Sequence, residues 1–200
     1  MNWIIEKNNE NETVNSLSKE LNVSPVISLM LFNRGIKTFD QAKDFFRPNL
    51  SQLHNPFLMK DMNVAVNKIL SVISKKEPIM IFGDYDVDGT SAVALLSSYL
   101  KEIGANISTY IPDRNKEGYG ISLRAVDLAS KNNISLIIAL DCGIKANSQI
   151  EYALKKKIDF IICDHHNPSE VIPKALAVLN PKRSDCNYPF KDLCGCGVGF

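Results

Sequence analysis

Ile79-Met80-Ile81-Phe82-Gly83-Asp84-Tyr85-Asp86-Val87-Asp88-Gly89-Thr90-Ser91-Ala92 lies just before the middle of the 200-residue chain. An apolar run ends in carboxylates at alternate positions, then a glycine, then small residues that open an apolar helical pattern. That order predicts a buried strand, a tight acidic turn and a helix start. Asp84, Asp86 and Asp88 repel one another, and each loses solvation on burial, so a folded chain that gathers them calls for a cation. The calcium loop of an EF-hand begins with the same spacing, but needs a bidentate glutamate where Leu95 stands and a helix where the strand is expected. That reading fails. An ordinary solvated acidic turn competes with a metal site, and the rest of the chain weighs against it.

Outward from this stretch the pattern alternates strand, helix, strand, helix. Ile79–Phe82 is followed by a helix from about Thr90 to Ile103, stopped by Gly104. Ile107–Ile111 reads as a strand and Ser122 starts a helix through Ser130. Ile134–Leu140 is a continuous apolar run, as expected of a strand buried on both faces. Ala146–Lys157 is expected to be helical, with Lys155, Lys156 and Lys157 suited to its carboxyl-terminal dipole end. Ile158–Cys163 and Ala175–Leu179 complete the strands. Strands separated by helices of this length predict right-handed crossovers and an α/β fold with a parallel sheet flanked by helices.

The preceding residues read as a small helical segment, so the domain reading is 1–77 helical and 78–200 α/β. Thr13 is a candidate cap for a helix to Leu21, and Ser24-Pro25 opens another that Gly35 closes. Thr38 with Gln41 is a capping-box pattern, Leu50 to Met59 reads as a connector, and Asp61 is a candidate cap for a helix carrying Val64, Ile69, Val72 and Ile73. In composition the 200 residues, 45% hydrophobic and 22% charged, describe an ordinary globular protein rather than a disordered one. A net charge of +1 leaves no overall electrostatic footprint for a polyanion, which local lysines and arginines would have to supply. Met1–Lys7 is too polar for a signal peptide and no run reaches membrane-spanning length, so no membrane partner and a cytoplasmic location with reduced cysteines are expected. Cys186, Cys194 and Cys196 lack the paired spacing of a structural zinc site.

In a parallel sheet all strand carboxyl ends meet at one edge. Four polar clusters fall at such ends: Asp84-Asp86-Asp88, the loop Ile111–Gly120, Asp141-Cys142-Gly143, and Asp164-His165-His166. One acidic end would be unremarkable, because aspartate commonly caps the following helix. Acidic ends on three strands with a histidine pair describe a cation site of oxygen and imidazole ligands, which favours Mn2+ or Mg2+ over zinc. Several aspartates allow two ions to share one, the arrangement used for in-line displacement at phosphorus. Arg114, Lys116, Lys145 and Arg183 are the nearest candidates for phosphate contacts, and Tyr119 offers an aromatic face to a single strand.

Asp164-His165-His166 is the signature triplet of the DHH phosphoesterase superfamily. The set Gly83–Ala92, Ile111–Ser122, Ala139–Ile144, Cys163–His166 and Cys194–Phe200 resembles the amino-terminal part of its single-strand-specific 5′→3′ exonucleases, in consistent order from about Leu29 to Phe200. The helical segment, with Arg34-Gly35-Ile36 and Phe45-Phe46-Arg47-Pro48, shares the resemblance. The resemblance implies that Asp86, Asp88, Asp141 and His165 are metal ligands, with Asp141 as the bridge. It implies that His166 lies beside the scissile phosphate and that Asp84 is a further ligand or supporting acid. By the same resemblance the whole protein uses two Mn2+ or Mg2+ ions to hydrolyse single-stranded DNA in repair and recombination, alongside a helicase and a single-strand-binding protein.

The family pattern continues beyond Cys194–Phe200 into a helix, another metal-binding aspartate and a second domain. The expectation is therefore that residues 1–200 hold a partial site, fold at least partly, degrade single-stranded DNA negligibly by themselves, and expose apolar surface around Val198 and Phe200. Within enzymes the alternative is a phosphodiesterase acting on short oligonucleotides or cyclic dinucleotides. From another class it is a catalytically inactive nucleic-acid-binding or scaffold protein, against which the retained Asp86, Asp88, Asp141 and His165 weigh.

Overall fold

A computed structural model of the chain describes residues 12–200, in two compact units, Met1–Leu53 and His54–Phe200. Met1–Lys7, read above as too polar for a signal peptide, lies outside the described residues. Among those residues no helix is long and apolar enough to cross a membrane.

The first unit holds α1 (Glu12–Leu21), α2 (Pro25–Asn33) and α3 (Phe39–Phe46). Ser24 Oγ accepts from the Ile27 N–H ahead of Pro25, and the Thr38–Gln41 capping box is formed in both directions. Thr13 stands inside α1 rather than at its cap, because the helix begins at Glu12.

The second unit is a five-stranded parallel sheet: β1 (Ile79–Gly83), β2 (Ile107–Tyr110), β3 (Leu136–Leu140), β4 (Asp159–Cys163) and β5 (Ala177–Leu179), in the order β2-β1-β3-β4-β5. The helices are α4 (Met62–Ser74), α5 (Val87–Glu102), the short α6 (Arg114–Glu117), α7 (Leu123–Lys131), α8 (Asn147–Lys155) and α9 (Gly195–Gly199). Side chains alternate across each strand, and both faces are apolar. Ile79, Ile81, Leu136, Ile138, Leu140 and Ile161 pack with Val72 of α4, Ala92 and Leu100 of α5 and Val198 of α9. Met80, Phe82, Ile137, Ala139, Phe160 and Ile162 pack with Val126 and Ala129 of α7 and Ile150 and Ala153 of α8. Chain order reverses between β1 and β3, whose following helices α5 and α8 lie on opposite faces, and the crevice between such strand ends is where this architecture places ligands.

Three local expectations change. The helix after β1 starts at Val87, because Asp86 Oδ1 accepts from the Gly89 N–H at 2.9 Å and caps it a turn early. Gly89 is required there, since a Cβ would lie 2.5–2.8 Å from the Asp84 main chain. Val198 is buried in the sheet core, whereas Phe200 is 73% exposed. Val64 faces outward, α4 burying Ala65 and Val72 instead.

Asp61 and Arg183 depart together from their expected roles. Asp61 adopts φ 67° and makes no side-chain cap; its Oδ2 accepts from Val178 N–H at 3.2 Å and from the Arg183 guanidinium at 2.7 Å. Arg183 also donates to Val178 O at 2.6 Å and grips both carboxylate oxygens of Asp185, at 2.9 and 2.8 Å. A buried fork with every nitrogen bonded is structural and is not offered to phosphate. Replacing it leaves Asp61 without its counter-charge, so Arg183→Ala should cost about 3 kcal/mol in urea unfolding, and Arg183→Lys should recover little of it. The half-exposed partner behaves differently, and Asp185→Ala should cost under about 1 kcal/mol in the same measurement.

Candidate metal centre

The carboxylates at the β1 and β3 ends are brought together by main-chain geometry. The Asp84 N–H donates to Leu140 O at 3.3 Å and the Asp141 N–H to Cys163 O at 2.8 Å, so each residue extends the sheet ladder by one bond. Asp141 then turns into the left-handed region at φ 60°, uncommon outside glycine and tolerated best by short polar side chains. Ligand atoms of Asp84, Asp86 and Asp141 lie within 4.8 Å of one another, and so do those of Asp141, His165 and His166. Asp141 is common to both groups.

Asp88 is placed differently. Its Oδ2 accepts from Gly195 N–H at 2.7 Å and its Oδ1 from Cys196 N–H at 2.6 Å, while Oδ2 stands 3.7 Å from His165 Nε2. His165 Nε2 is 3.2 Å from Asp141 Oδ1, without the alignment of a hydrogen bond. Asp84 Oδ1 and Asp141 Oδ1 are both buried and unbonded. Two orphaned carboxylate oxygens in one crevice, beside imidazole nitrogens, fit a hard divalent cation such as Mn2+ or Mg2+.

The first aspartate of the Asp164-His165-His166 triplet is an organiser. Asp164 is buried; its Oδ1 accepts from the N–H groups of His165 and His166 at 2.7 and 3.0 Å, and its Oδ2 from Ile144 N–H at 2.9 Å. With three main-chain donors it acts as an acceptor, so His166 Nδ1, also 2.7 Å from Oδ1, carries the proton. His166 Nε2 is then the acceptor of the ring, with Tyr119 Oη donating to it at 3.4 Å. In the sequence the one signal for this role of Asp164 is its place in the triplet.

Arg114 and Tyr119 lie outside both ligand groups and form a ledge beside them. The Arg114 guanidinium sits over the Tyr85 ring at 5.2 Å, and the rings of Tyr85 and Tyr119, and of Tyr119 and His166, meet edge to face. Gly118 (φ 79°) and Gly120 (φ 81°) turn the chain sharply and leave Tyr119 exposed between them. Glu117 staples this loop, accepting from Tyr110 Oη at 2.7 Å and Ser122 Oγ at 2.6 Å. Lys116 pairs loosely with Asp113 at 3.5 Å. A crevice of about 210 Å³ opens beside His166, lined by Tyr119, Ile121, Ile144, Lys145 and Gln149.

Burial, and then the negative charges of Asp88 and Asp86, push the Asp141 carboxyl up to about 7. Burial raises Asp84 as well. A raised carboxyl favours the folded state most below the unfolded value near pH 4, and that contribution is lost as pH rises toward 7. The metal-free chain should therefore lose stability between pH 5 and 7 more steeply than Asp141→Asn, which has no proton to give there. Cation and proton also compete, so Mn2+ affinity should climb from pH 6 and level off above about pH 7.5, with proton release seen by calorimetry at the lower pH. Equal affinities at pH 6 and 8 would contradict this electrostatic account.

Residues 78–200 match the DHH family, N-terminal domain. The chain is 38% identical, over all of its 200 residues, to the single-stranded-DNA-specific exonuclease RecJ of Bacillus subtilis, covering 25% of that protein. It is 30% identical to the RecJ of Escherichia coli, with 88% of this chain matched to 30% of that protein. Among solved structures it resembles RecJ in complex with Mn2+ from Thermus thermophilus, with a TM-score of 0.69 and 25% identity over 94% of this chain and 26% of that one. It also resembles exonuclease RecJ bound to manganese, with a TM-score of 0.64 and 28% identity over 74% of this chain and 37% of that one. The chain thus spans about a quarter of the length of the curated relatives it matches. With this match over more than half of its residues, and the Asp164-His165-His166 triplet closing β4 beside Asp84 and Asp141, the chain belongs to the DHH family.

Proposed function

We propose that this chain is the part of a metal-dependent 5′→3′ exonuclease of the RecJ type that carries its metal centre, acting on single-stranded DNA in repair and recombination in the cytoplasm. The observation that carries the reading is the convergence of Asp84, Asp86, Asp141, His165 and His166 at the switch point of the sheet, with two buried carboxylate oxygens unbonded. In this reading Asp86, Asp88, Asp141 and His165 hold Mn2+ or Mg2+, with Asp84 beside them. Two ions held there would acidify a water for attack and screen charge on the phosphoryl oxygens.

The chain's own residues supply position and proton control. His166, held at Nδ1 by Asp164, lies beside the scissile phosphate, where Nε2 exchanges its weak bond from Tyr119 Oη for a proton of a group bound there. Arg114, braced on Tyr85, offers a cation to the neighbouring phosphate, and Tyr119 offers a ring face to a base. The crevice walled by Tyr119 and Ile144, with Lys145 at its margin, suits one flanking nucleoside. The retained charged cluster speaks against an inactive scaffold, since unsatisfied buried carboxylates are costly without a ligand. Similarity to the relatives in both sequence and fold favours the single-strand exonuclease over phosphodiesterases of short oligonucleotides or cyclic dinucleotides.

The test uses a polypeptide in which residues 1–200 replace the matching quarter of the Bacillus subtilis relative, with manganese and end-labelled single strands. Mononucleotides should appear from the 5′ end, and Asp86→Ala should abolish them. Arg114→Ala should lower turnover of single-stranded DNA by about tenfold or more, leaving Mn2+ affinity within about twofold. Degradation from the 3′ end, or activity confined to dinucleotides, would overturn the reading. Loss of Mn2+ binding in Arg114→Ala would move that residue from substrate to metal centre.

A further inference from the structure

The glycine-rich turn that opens α9 is fitted between two carboxylates of the metal centre. Gly195 donates its N–H to Asp88 Oδ2 and Cys196 donates to Asp88 Oδ1, so both oxygens of that carboxylate are held from one side. On its other side Gly195 abuts Asp141: a Cβ at position 195 would lie 2.6 Å from Asp141 Cγ and 2.7 Å from Asp141 Cβ, and closer still to Oδ1. Real Cβ atoms do not approach that near, and the atoms met belong to a short buried side chain that a methyl there would force out of place. Cys194 caps the turn, its Sγ accepting from Gly197 N–H at 3.3 Å, and Val198 anchors it in the sheet core.

We infer that Gly195 is a positioning residue of the metal centre: its N–H orients the Asp88 carboxylate and its missing side chain leaves the Asp141 carboxylate in place. The inference rests on the metal-centre reading above. A carboxylate oxygen has two lone pairs, so one N–H on each oxygen of Asp88 leaves a second lone pair on each for a cation. The two donors set the direction of those remaining pairs, and Oδ2 faces His165 Nε2 at 3.7 Å. Partners that orient ligands in this way commonly affect metal affinity by about 10–100-fold. The requirement is for a main-chain N–H and for the absence of a side chain, which explains why no chemistry-bearing residue marks the position.

The experiment measures Mn2+ binding by calorimetry, with thermal unfolding of the metal-free chain alongside. Gly195→Ala should weaken Mn2+ by about tenfold or more, because the new methyl displaces Asp141. Val198→Ala removes core packing beneath α9 while Gly195 and both N–H donors to Asp88 stay in place; it should lower the melting temperature while holding Mn2+ affinity within about twofold. A double-mutant cycle covers the case in which Gly195→Ala folds poorly. Asp141→Gly removes the obstructing carboxylate at a left-handed position that glycine accepts, so Gly195→Ala should lower the melting temperature in the parent and leave it nearly unchanged in Asp141→Gly. Parental Mn2+ affinity in Gly195→Ala, an equal loss in Val198→Ala, or the same melting shift in both backgrounds would each overturn the inference. Failure of the parent chain itself to bind Mn2+ would instead refute the metal-centre reading.

Discussion

Like charges brought together in a space too small and too dry for them are the constraint around which this chain is built. Asp84 and Asp141 are carried to neighbouring strand ends by ladder hydrogen bonds that neither can relinquish without breaking the sheet. Asp86 caps α5 in the same crevice, and Asp88 follows in its first turn. Repulsion and lost solvation would drive such groups apart, and both show in the elevated Asp141 carboxyl. The counterweights are main-chain N–H groups and the two histidines, and they leave an arrangement that a cation could use.

The sheet and the crevice depend on each other. Apolar runs at 79–83 and 136–140 are buried on both faces, so their strands cannot shift register without exposing an entire row of side chains. Register fixes where the carboxylates emerge, and Asp164 then ties the β3–α8 loop to the β4 end through Ile144 N–H. Aspartate in this structure is thus as much a fastener of loops as a ligand. Asp61, Asp164 and Asp88 each bind main-chain N–H groups far away in sequence.

How much of this was readable from residue order depended on the range of the interaction. Continuous apolar runs announce buried strands, so the five strands fall within a few residues of their expected bounds, and the polar clusters fall at their carboxyl ends. The start of α5 was misplaced because Asp86 reads equally as part of a turn or as a cap, and only the Gly89 N–H decides. Arg183 reads from sequence as a candidate phosphate contact because its partners, Asp61 and Asp185, include one more than a hundred residues away. The Asp88 contact with Gly195 and Cys196 left no trace in sequence pattern, since both donors are main-chain groups. Long-range bonds between a side chain and the backbone carry no periodicity and no motif.

Chain order has a consequence for assembly in time. The crevice draws on residues 84–88, 141, 164–166 and 195, and these do not all meet until the crossovers have closed and the parallel pairings between them exist. Parallel pairings of this separation are slow to form, because loop closure precedes any reward. The repulsive cluster is therefore complete only in the assembled sheet, whose hydrophobic faces bear its cost. A site that exists only in the assembled sheet ties the cation to the folded chain, so a cation bound there adds its binding free energy to the stability of the whole topology.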